Sequence, residues 1–407
     1  MNIANNFSDD TFTALLDSDI KTWLLGKVKK IDRGYYPKYI LRSLAKKGYF
    51  NNNITTTGLL KDTIPAHDRE AEIKQGNFSG FLIQALQSIS AVSSICGTTG
   101  FCLWCQQALS WYLANSQNVT LRENILAAIH AGYMLGGTGL SNPIKSYANI
   151  ENNSLKASIN DKGYTIKGTL PWVSNLEYGH IFAAIFPVIH DTKISSFVMG
   201  LIRCEEEKGI MLGDNISFSG LDGSATKSVR IKNYFMPHDD CLANPAESLL
   251  IKITAGFIIL QMGMAMGIIS SCLNQIHKAN LTHAYINKFL NIDQEELIHS
   301  YHTLSDKAFC LAKTPYQSND KNYMIDVLST RLAFSKLALK ASNAACLFAG
   351  AKGYMRDSAV ERLLRESYFI AMVTPSIKHL QKELYDISQG KGVMKQWHTN
   401  LASRSNT

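Results

Sequence analysis

The sequence predicts an α+β protein in which a small β-domain separates two helical regions. Residues 1–130 place apolar side chains at three- and four-residue intervals, which is typical of amphipathic helices. Between about residues 131 and 240, short runs alternate apolar and polar side chains, as strands do. Helical spacing returns after Pro237. The predicted domains are therefore an N-terminal α-helical domain (1–130), a central β-domain (131–240) and a C-terminal helical bundle (241–407).

The N-terminal region contains several segments with helical spacing. The first, DDTFTALLDSDIKTWLL, opens with acidic residues that suit a helix N-terminus, and a later one is FSGFLIQALQSISAVSSI. A third run, GFCLWCQQALSWYL, is apolar and holds Cys102 and Cys105 in a C-x-x-C arrangement. Redox or zinc chemistry would need a strand-turn-helix setting or a second ligand pair. We interpret these thiols as buried structural cysteines and expect no metal site.

The middle region carries strand and hairpin patterns. LKASINDKGYTIKG alternates on both sides of Asn-Asp-Lys-Gly and predicts a hairpin. HIFAAIFPVI, ISSFVMGLI and SVRIKNYFMP predict further strands. Ahead of them, GGTGLSNP (136–143) is one residue short of a dinucleotide-binding glycine fingerprint, which needs a preceding strand and a following helix. Because GGTGLSNP leads into alternating strands, we expect no Rossmann site.

The last region predicts four long helices that form an antiparallel bundle. Their sequences are TAGFIILQMGMAMGIISSCLNQIHKA, EELIHSYHTLSDKAFCLA, NYMIDVLSTRLAFSKLALKASNAACLFA and AVERLLRESYFIAM. Residues 257–273 carry no charge, but their length is at the lower limit for crossing a bilayer and they include Gln261. A helix buried on all sides is also apolar all round, and we favour that interpretation.

Charge and cysteine usage limit the classes of partner. The formal net charge of +8 comes from scattered Lys and Arg, without the interleaved aromatic residues of a nucleic-acid binder. A modest positive surface suits an anionic ligand such as a phosphorylated carrier. The eight cysteines lack the close spacing of a disulfide framework, and MNIANNFSDD has no signal-peptide pattern. We expect a cytoplasmic protein that binds neither nucleic acid nor membrane.

Four segments in order resemble motifs of the acyl-CoA dehydrogenase flavoprotein family. AGYMLGGTGLSNP (131–143) is similar to its Y-x-x-T-E-P-x-A-G-S-D loop, and GYTIKGTLPWVSN (163–175) to its G-x-x-x-x-G-x-K-x-W-I-[ST]-N strand pair. GLDGSATKSVRIKNYFMPHDDCL (220–242) and GAKGYMRDSAVERLLRE (350–366) resemble two later motifs. The resemblance implies the family's fold, an N-terminal helical domain, a central small β-domain and a C-terminal four-helix bundle.

The resemblance also implies FAD between the β-domain and the bundle, in a homodimer or homotetramer that shares the flavin site. Trp172 would pack beside the flavin ring, and the Ser174 hydroxyl would approach its reactive nitrogen. Residues two apart on a strand share a face, and flavins need both an apolar wall and a few hydrogen-bond donors. The alternatives are that Trp172 is a core residue and Gly350 a helix terminator. The implied cofactor-binding positions are Leu135, Gly136, Gly137, Thr138, Trp172, Ser174, Lys288, Phe289, Gly350 and Ser376.

The sequence departs from the family at the catalytic base. In the family a glutamate removes the α-proton of the thioester while hydride leaves to the flavin. Its usual position falls on Thr374, and its alternative position falls near Phe257. Neither residue is a carboxylate, and a threonine hydroxyl titrates far above neutral pH. His130 and His379 are the candidate replacement bases, because histidine changes charge near neutrality.

The sequence departs from the family at one further position, that of a flavin-binding arginine, and matches it at the V-E-R pair. The arginine that reaches the flavin diphosphate of a neighbouring subunit aligns with Ile286, although Lys288 lies close by in the sequence. Glu361 and Arg362 match the family's V-E-R pair, which we interpret as an ion-pairing start of a helix rather than as catalytic groups.

Three functions remain open at this stage. The first is an FAD-dependent oxidoreductase acting on an acyl thioester of coenzyme A or of an acyl carrier protein. The second is a flavin-dependent monooxygenase on the same fold, supplied by a flavin reductase. The third is a non-catalytic descendant that keeps the fold for binding or assembly.

Overall fold

The computed structural model describes residues 15–50, 79–191, 193–317 and 320–391. Helices, then a mixed β-sheet, then helices follow one another along the chain. This order confirms the predicted fold class.

The N-terminal helices begin later than the sequence predicts. Residues 15–17 are not helical, because the Asp17 side chain accepts a hydrogen bond from the Asp19 amide and so caps the first helix at Ser18. Residues 9–14 of the expected helix lie outside the described residues. The helices are α1 (Ser18–Asp32), α2 (Lys38–Lys46), α3 (Ser79–Ser93), α4 (Gly97–Asn115) and α5 (Val119–His130).

In the part of the chain that the structure describes, eight strands form one sheet in the order β6-β7-β3-β2-β4-β5-β8, with β1 paired to β4. The predicted hairpin is confirmed, since β2 and β3 pair antiparallel from Leu155↔Gly168 to Asn160↔Gly163. The strands are β1 (Gly136–Thr138), β2 (Leu155–Asn160), β3 (Gly163–Val173), β4 (Ile181–His190), β5 (Lys193–Arg203), β6 (Ile210–Leu212), β7 (Lys227–Pro237) and β8 (Cys241–Ala243).

The GGTGLSNP segment does not lead directly into the alternating strands, so that expectation was wrong. Its glycines form β1, parallel to β4, and the short helix α6 (Ser141–Tyr147) follows. Pro143 lies in the first turn of α6, where a missing amide donor leaves no hydrogen bond unmade. A helix of seven residues beside a mainly antiparallel sheet is still not a dinucleotide fold.

Strand β4 separates two hydrophobic cores. Ile181, Ala183 and Ile185 belong to the large core that the helices share, whereas Phe182 and Phe186 belong to a second core on the other face of the sheet. Successive side chains point to opposite faces of a strand. A strand buried on both faces is therefore continuously apolar, as HIFAAIFPVI is.

Within the described residues five α-helices follow the sheet, and the first four are the predicted bundle. They are α7 (Ala246–Asn287), α8 (Gln294–Ala312), α9 (Lys321–Ala349), α10 (Ala359–Met372) and α11 (Ile377–Ser388). The sequence reasoning missed α11, which packs against α9. By length and composition, α7 with its short extension to Leu290 could cross a membrane, but 83% of its most apolar window is buried inside the protein. It is a buried core helix, as expected.

Candidate functional site

A cavity of about 1010 Å³ lies where the three regions of the chain meet. Its walls come from α4, the ends of β1 and β3, residues 218–226, α7 and the segment from α10 into α11. Ligand pockets commonly enclose about 300–1,000 Å³, so this cavity has room for a large or composite ligand. The sequence-predicted residues that line it are Thr138, Trp172, Ser174, Thr374, Ser376 and His379.

Aromatic rings form much of the cavity wall. Phe101 and Trp104 on α4 stack with ring centroids 5.7 Å apart, and Trp104 contacts Phe257 of α7 at 5.4 Å. Trp172 and Phe218 form another pair at 6.0 Å. Trp172 is 48% exposed, so it is not a core residue. These rings can pack against a flat conjugated ligand.

Hydroxyl groups line the β-domain side of the cavity. Ser174 Oγ lies 2.7 Å from Thr226 Oγ1, which lies 2.7 Å from Ser224 Oγ. Behind this wall, the hydroxyl of the buried Tyr112 lies 3.0 Å from Thr138 Oγ1. Burial raises the pKa of Tyr112, so its phenol stays protonated at neutral pH. Each hydroxyl has a second lone pair, so this wall can accept and donate hydrogen bonds to a ligand.

The position of the family's glutamate is held by a polar network that extends from the cavity wall into the core. Thr374 Oγ1 lies 2.9 Å from Ser141 Oγ, and the Thr374 carbonyl accepts from Gln261 Nε2 at 2.7 Å. Gln261 Oε1 in turn accepts from Arg331, whose guanidinium also donates to the Ile370 carbonyl. Burial lowers the pKa of Arg331 to about 9. This network fixes the turn between α10 and α11 against the cavity.

Three predicted cofactor contacts lie next to Thr138 but do not line the cavity. Leu135, Gly136 and Gly137 are buried. A Cβ atom on Gly136 would stand 2.2 Å from the Ile181 carbonyl oxygen, and one on Gly137 would stand 2.2 Å from the Ser174 carbonyl oxygen. The close approach of neighbouring backbone therefore explains both glycines.

Three other predicted cofactor contacts lie elsewhere on the chain. Lys288 and Phe289 are exposed after α7, where Lys288 Nζ is 5.1 Å from the Phe289 ring centroid. Gly350 ends α9 with a φ of 59°, a conformation that favours glycine, and nothing lies within 4 Å of its Cβ position. Helix termination accounts for Gly350 within this chain. Flavin contacts at these three residues stay a prediction.

The two candidate histidines differ in position. His130 ends α5, outside the cavity lining, and burial lowers its pKa. His379 lines the cavity, but its Nε2 lies 3.5 Å from Glu383 Oε1. Its Nδ1 is enclosed and has no hydrogen-bond partner among the described residues. Of the two histidines, His379 is therefore the one near Thr374.

Sequence reasoning missed the carboxylate of the cavity. Among the described residues that line it, Glu151 is the only aspartate or glutamate. Glu151 Oε1 accepts from Asn142 Nδ2 at 2.8 Å, and Oε2 accepts from Lys145 Nζ at 3.0 Å. Glu151 belongs to the link between α6 and β2, beyond the end of the GGTGLSNP motif, and no spacing pattern marked it.

The cavity lining is otherwise cationic. Its other charged members are Lys145, Arg365, Lys378 and Lys382. Arg365 is engaged by Asp32 of α1 and by Glu361 one turn earlier on α10. Lys145 and Lys382 also make ion pairs, so Lys378 is the one lining cation without such a partner among the described residues, and it can attract an anionic group of a ligand.

The V-E-R residues form ion pairs along α10, although not with each other. Arg362 Nη1 lies 3.0 Å from Glu366 Oε1, and Glu361 pairs with Arg365. Neither Glu361 nor Arg362 lines the cavity. Both pairs lie within α10 and link successive turns of that helix.

No family model matches the chain. A curated relative, the probable acyl-CoA dehydrogenase YngJ of Bacillus subtilis, is 23% identical over 309 residues, which cover 72% of this chain and 78% of the relative. The structure of butyryl-CoA dehydrogenase from Megasphaera elsdenii matches with a TM-score of 0.76 at 15% identity, covering 94% of this chain and 98% of that one. Dibenzothiophene monooxygenase (TdsC) from Paenibacillus sp. A11-2, also solved with FMN bound, matches with a TM-score of 0.73 at 12% identity and covers 94% and 97%. The two structures show a shared fold.

Proposed function

Because the chain belongs to the acyl-CoA dehydrogenase family, we propose that it is a flavin-dependent oxidoreductase that acts on an acyl thioester. The observation that carries this proposal is the large cavity in which the β-domain, the bundle and α4 meet. It gathers five positions at which the family's motifs imply contact with the flavin or the substrate: Thr138, Trp172, Ser174, Thr374 and Ser376.

The residues present fit a flavin. Trp172 offers an exposed aromatic face, and Ser174 lies two residues further along the chain with a hydroxyl that can reach a ring nitrogen. A flavin needs such a wall and a few hydrogen bonds that tune its electron acceptance. When bound, the flavin supplies the two-electron acceptor of the reaction. Family relatives and flavoprotein neighbours indicate a flavin, and we propose FAD.

An acyl thioester fits the remaining lining. Phe101, Trp104 and Phe257 give an apolar region for an acyl chain. Lys378 on α11 can supply positive charge for the phosphates of a coenzyme A or carrier-bound pantetheine, whereas Lys382 is already paired with Asp386. The protein's own contribution is to bind and orient these groups and to exclude water from them.

One observation favours a second function, a flavin-dependent monooxygenase. Thr374 occupies the position of the family's usual base and is already hydrogen-bonded to Ser141. Oxygen chemistry on a reduced flavin does not require a carboxylate there. This alternative predicts oxygen consumption that depends on a flavin reductase.

We also propose a homodimer or homotetramer in the cytoplasm. Exposed apolar side chains cluster at the end of α7, where Tyr285 is 71%, Ile286 51% and Phe289 69% exposed. Apolar patches of this kind commonly mark interfaces. Light scattering during gel filtration tests the oligomer, and a monomer at micromolar concentration would contradict it.

The proposed function is tested by the visible spectrum of the purified protein, followed by anaerobic titration with acyl-CoAs of four, eight and sixteen carbons. Bleaching of the flavin band by one of them is the expected result. A flavoprotein that stays oxidised with every thioester, but consumes oxygen with a flavin reductase, would favour the monooxygenase. Failure to bind FAD or FMN at micromolar concentration would overturn both functions.

A further inference from the structure

We propose that Glu151 is the base that removes the α-proton of a bound acyl thioester, a role that rests on the proposed function. The family's glutamate position is Thr374, whose hydroxyl cannot accept a proton near neutral pH. The cavity nevertheless contains one carboxylate among its described lining residues, and that is Glu151.

Two adjacent residues connect Glu151 to the usual base position. Ser141 Oγ lies 2.9 Å from Thr374 Oγ1, and the next residue, Asn142, donates its side-chain amide to Glu151 Oε1 at 2.8 Å. Asn142 Oδ1 also accepts from the Ser154 amide at 2.8 Å. The Asn142 side chain therefore fixes both Glu151 and the backbone that follows it. The carboxylate is therefore fixed on the same side of the cavity as Thr374.

The contacts of Glu151 suit a proton acceptor. Lys145 and Asn142 each donate one hydrogen bond, to different carboxylate oxygens, so lone pairs remain free on both. The Glu151 side chain is 35% exposed, so a ligand in the cavity can reach it.

His379 is less suited to the same task. Its Nε2 lies 3.5 Å from Glu383 Oε1, and its Nδ1 is enclosed among packed side chains. A general base must come within hydrogen-bond distance of the proton that it takes. Glu151 lines the cavity with its carboxylate. In His379, by contrast, Nδ1 is enclosed and Nε2 is directed at Glu383.

The proposed step is a proton transfer alone. The bond between the α-carbon and hydrogen breaks, the proton moves to a Glu151 oxygen, and the electron pair stays on the thioester as an enolate. The reverse step returns a proton from the carboxylic acid. In D₂O the carboxylic acid exchanges its proton for a deuteron, and the reverse step then places deuterium on the α-carbon. The incorporated deuterium therefore reports the proton transfer without net oxidation.

The test uses the flavin-loaded protein in anaerobic D₂O with butyryl-, octanoyl- and palmitoyl-CoA, and follows α-deuterium by mass spectrometry. General-base catalysis contributes about 10²–10⁴-fold, so Glu151→Gln should slow exchange at least about a hundredfold. Flavin content and acyl-CoA affinity should stay within about threefold, because the carboxamide oxygen of the substituted side chain can still accept from Lys145. Glu207→Gln, an exposed glutamate outside the cavity, is the matched control and should exchange at the wild-type rate.

Rescue separates chemistry from folding. Adding Thr374→Glu to Glu151→Gln places a carboxylate at the family's position and should restore exchange to within about tenfold of wild type, since a positioned base supplies most of the effect. Undiminished exchange in Glu151→Gln overturns the role. So does a loss confined to His379→Asn, which would identify that histidine as the base. If the wild type binds none of the three thioesters, the proposed function fails and this role fails with it.

Discussion

The side-chain hydroxyls of Ser141 and Thr374 lie 2.9 Å apart and join the first turn of α6 to the turn between α10 and α11. Gln261 donates to the Thr374 carbonyl and accepts from the buried Arg331. The family's glutamate position is therefore occupied by a neutral hydroxyl that is hydrogen-bonded to Ser141. Under the proposed function, the α-proton of the thioester must therefore go to another side chain.

Replacing Thr374 by valine should lower stability more than catalysis. The substitution removes the hydroxyl at nearly constant shape, and a lost hydrogen bond typically costs about 0.5–1.5 kcal/mol. Because the hydroxyl does not accept the proton, acyl-CoA-dependent flavin reduction should fall less than about tenfold. Urea unfolding and stopped-flow absorbance measure the two effects.

Ser141→Ala is the control for Thr374→Val. If the two hydroxyls act only through each other, the double variant should lose less stability than the sum of the single losses. A hundredfold or larger loss of flavin reduction in Thr374→Val alone would show that the hydroxyl takes part in the chemistry.

Trp172→Ala should weaken flavin binding. Packing of a large aromatic side chain against a ligand contributes on the order of 1.5–3 kcal/mol, which corresponds to about a tenfold to hundredfold rise in Kd. Trp172→Phe keeps an aromatic face and should lose less. Flavin fluorescence during titration of the apoprotein measures the Kd. Tyr39, which is 70% exposed outside the cavity, provides the control: Tyr39→Ala should bind flavin as the wild type does. Equal Kd values for Trp172→Ala and Tyr39→Ala would show that Trp172 does not contact the flavin.

Gly137→Ala should destabilise the fold even in the absence of flavin. The added Cβ would stand 2.2 Å from the Ser174 carbonyl oxygen, so β1 or the end of β3 would have to move. Overpacking of this kind costs about 1–3 kcal/mol. Gly26→Ala in α1, where nothing lies within 4 Å of the Cβ position, should instead stabilise by about 0.5–1 kcal/mol. Thermal melts of the two apoproteins measure the difference, and equal melting temperatures would contradict the packing explanation for Gly137.

The fold was predictable because its strongest patterns are local. The alternation around Asn160 and Gly163 was enough to predict the β2–β3 hairpin, and the apolar spacing after Pro237 was enough to predict the four long helices. The boundary of α1 was not predictable from spacing, since apolar periodicity continues through residues 15–17 while the Asp17 cap starts the helix at Ser18. α11 was missed because it is short and follows the Thr374-Pro375 turn closely.

The candidate site was predictable only where a motif carries it. Thr138, Trp172 and Ser174 line one cavity because β1 and β3 end at the same place. Glu151 belongs to no motif, and its position depends on the side-chain hydrogen bonds of Asn142, whose place in GGTGLSNP did not indicate which loop it would contact. Contacts between residues of different loops have no periodicity, so they require the folded structure.

The ion pair between Arg362 and Glu366 should contribute strongly to stability without touching the cavity. Glu366 is fully buried, and its Oε1 accepts from both Arg362 Nη1 and the Gly97 amide at 3.0 Å. Burial raises the pKa of Glu366, and Arg362 opposes that rise, so removal of one charge leaves the other without compensation. Breaking a buried pair by removing one partner typically costs about 3–5 kcal/mol.

Glu366→Gln should therefore lower the free energy of unfolding by about 3–5 kcal/mol, whereas Asp326→Asn should change it by no more than about 1 kcal/mol. Asp326 pairs with Lys307 at 2.7 Å, but both side chains are about half exposed, at 51% and 43%, so water screens their interaction. Urea unfolding of the two variants, followed by tryptophan fluorescence at 25 °C, measures both changes. A loss for Glu366→Gln as small as that for Asp326→Asn would show that the fold relaxes around Arg362, and that Glu366 does not anchor α10 to α4 through the Gly97 amide.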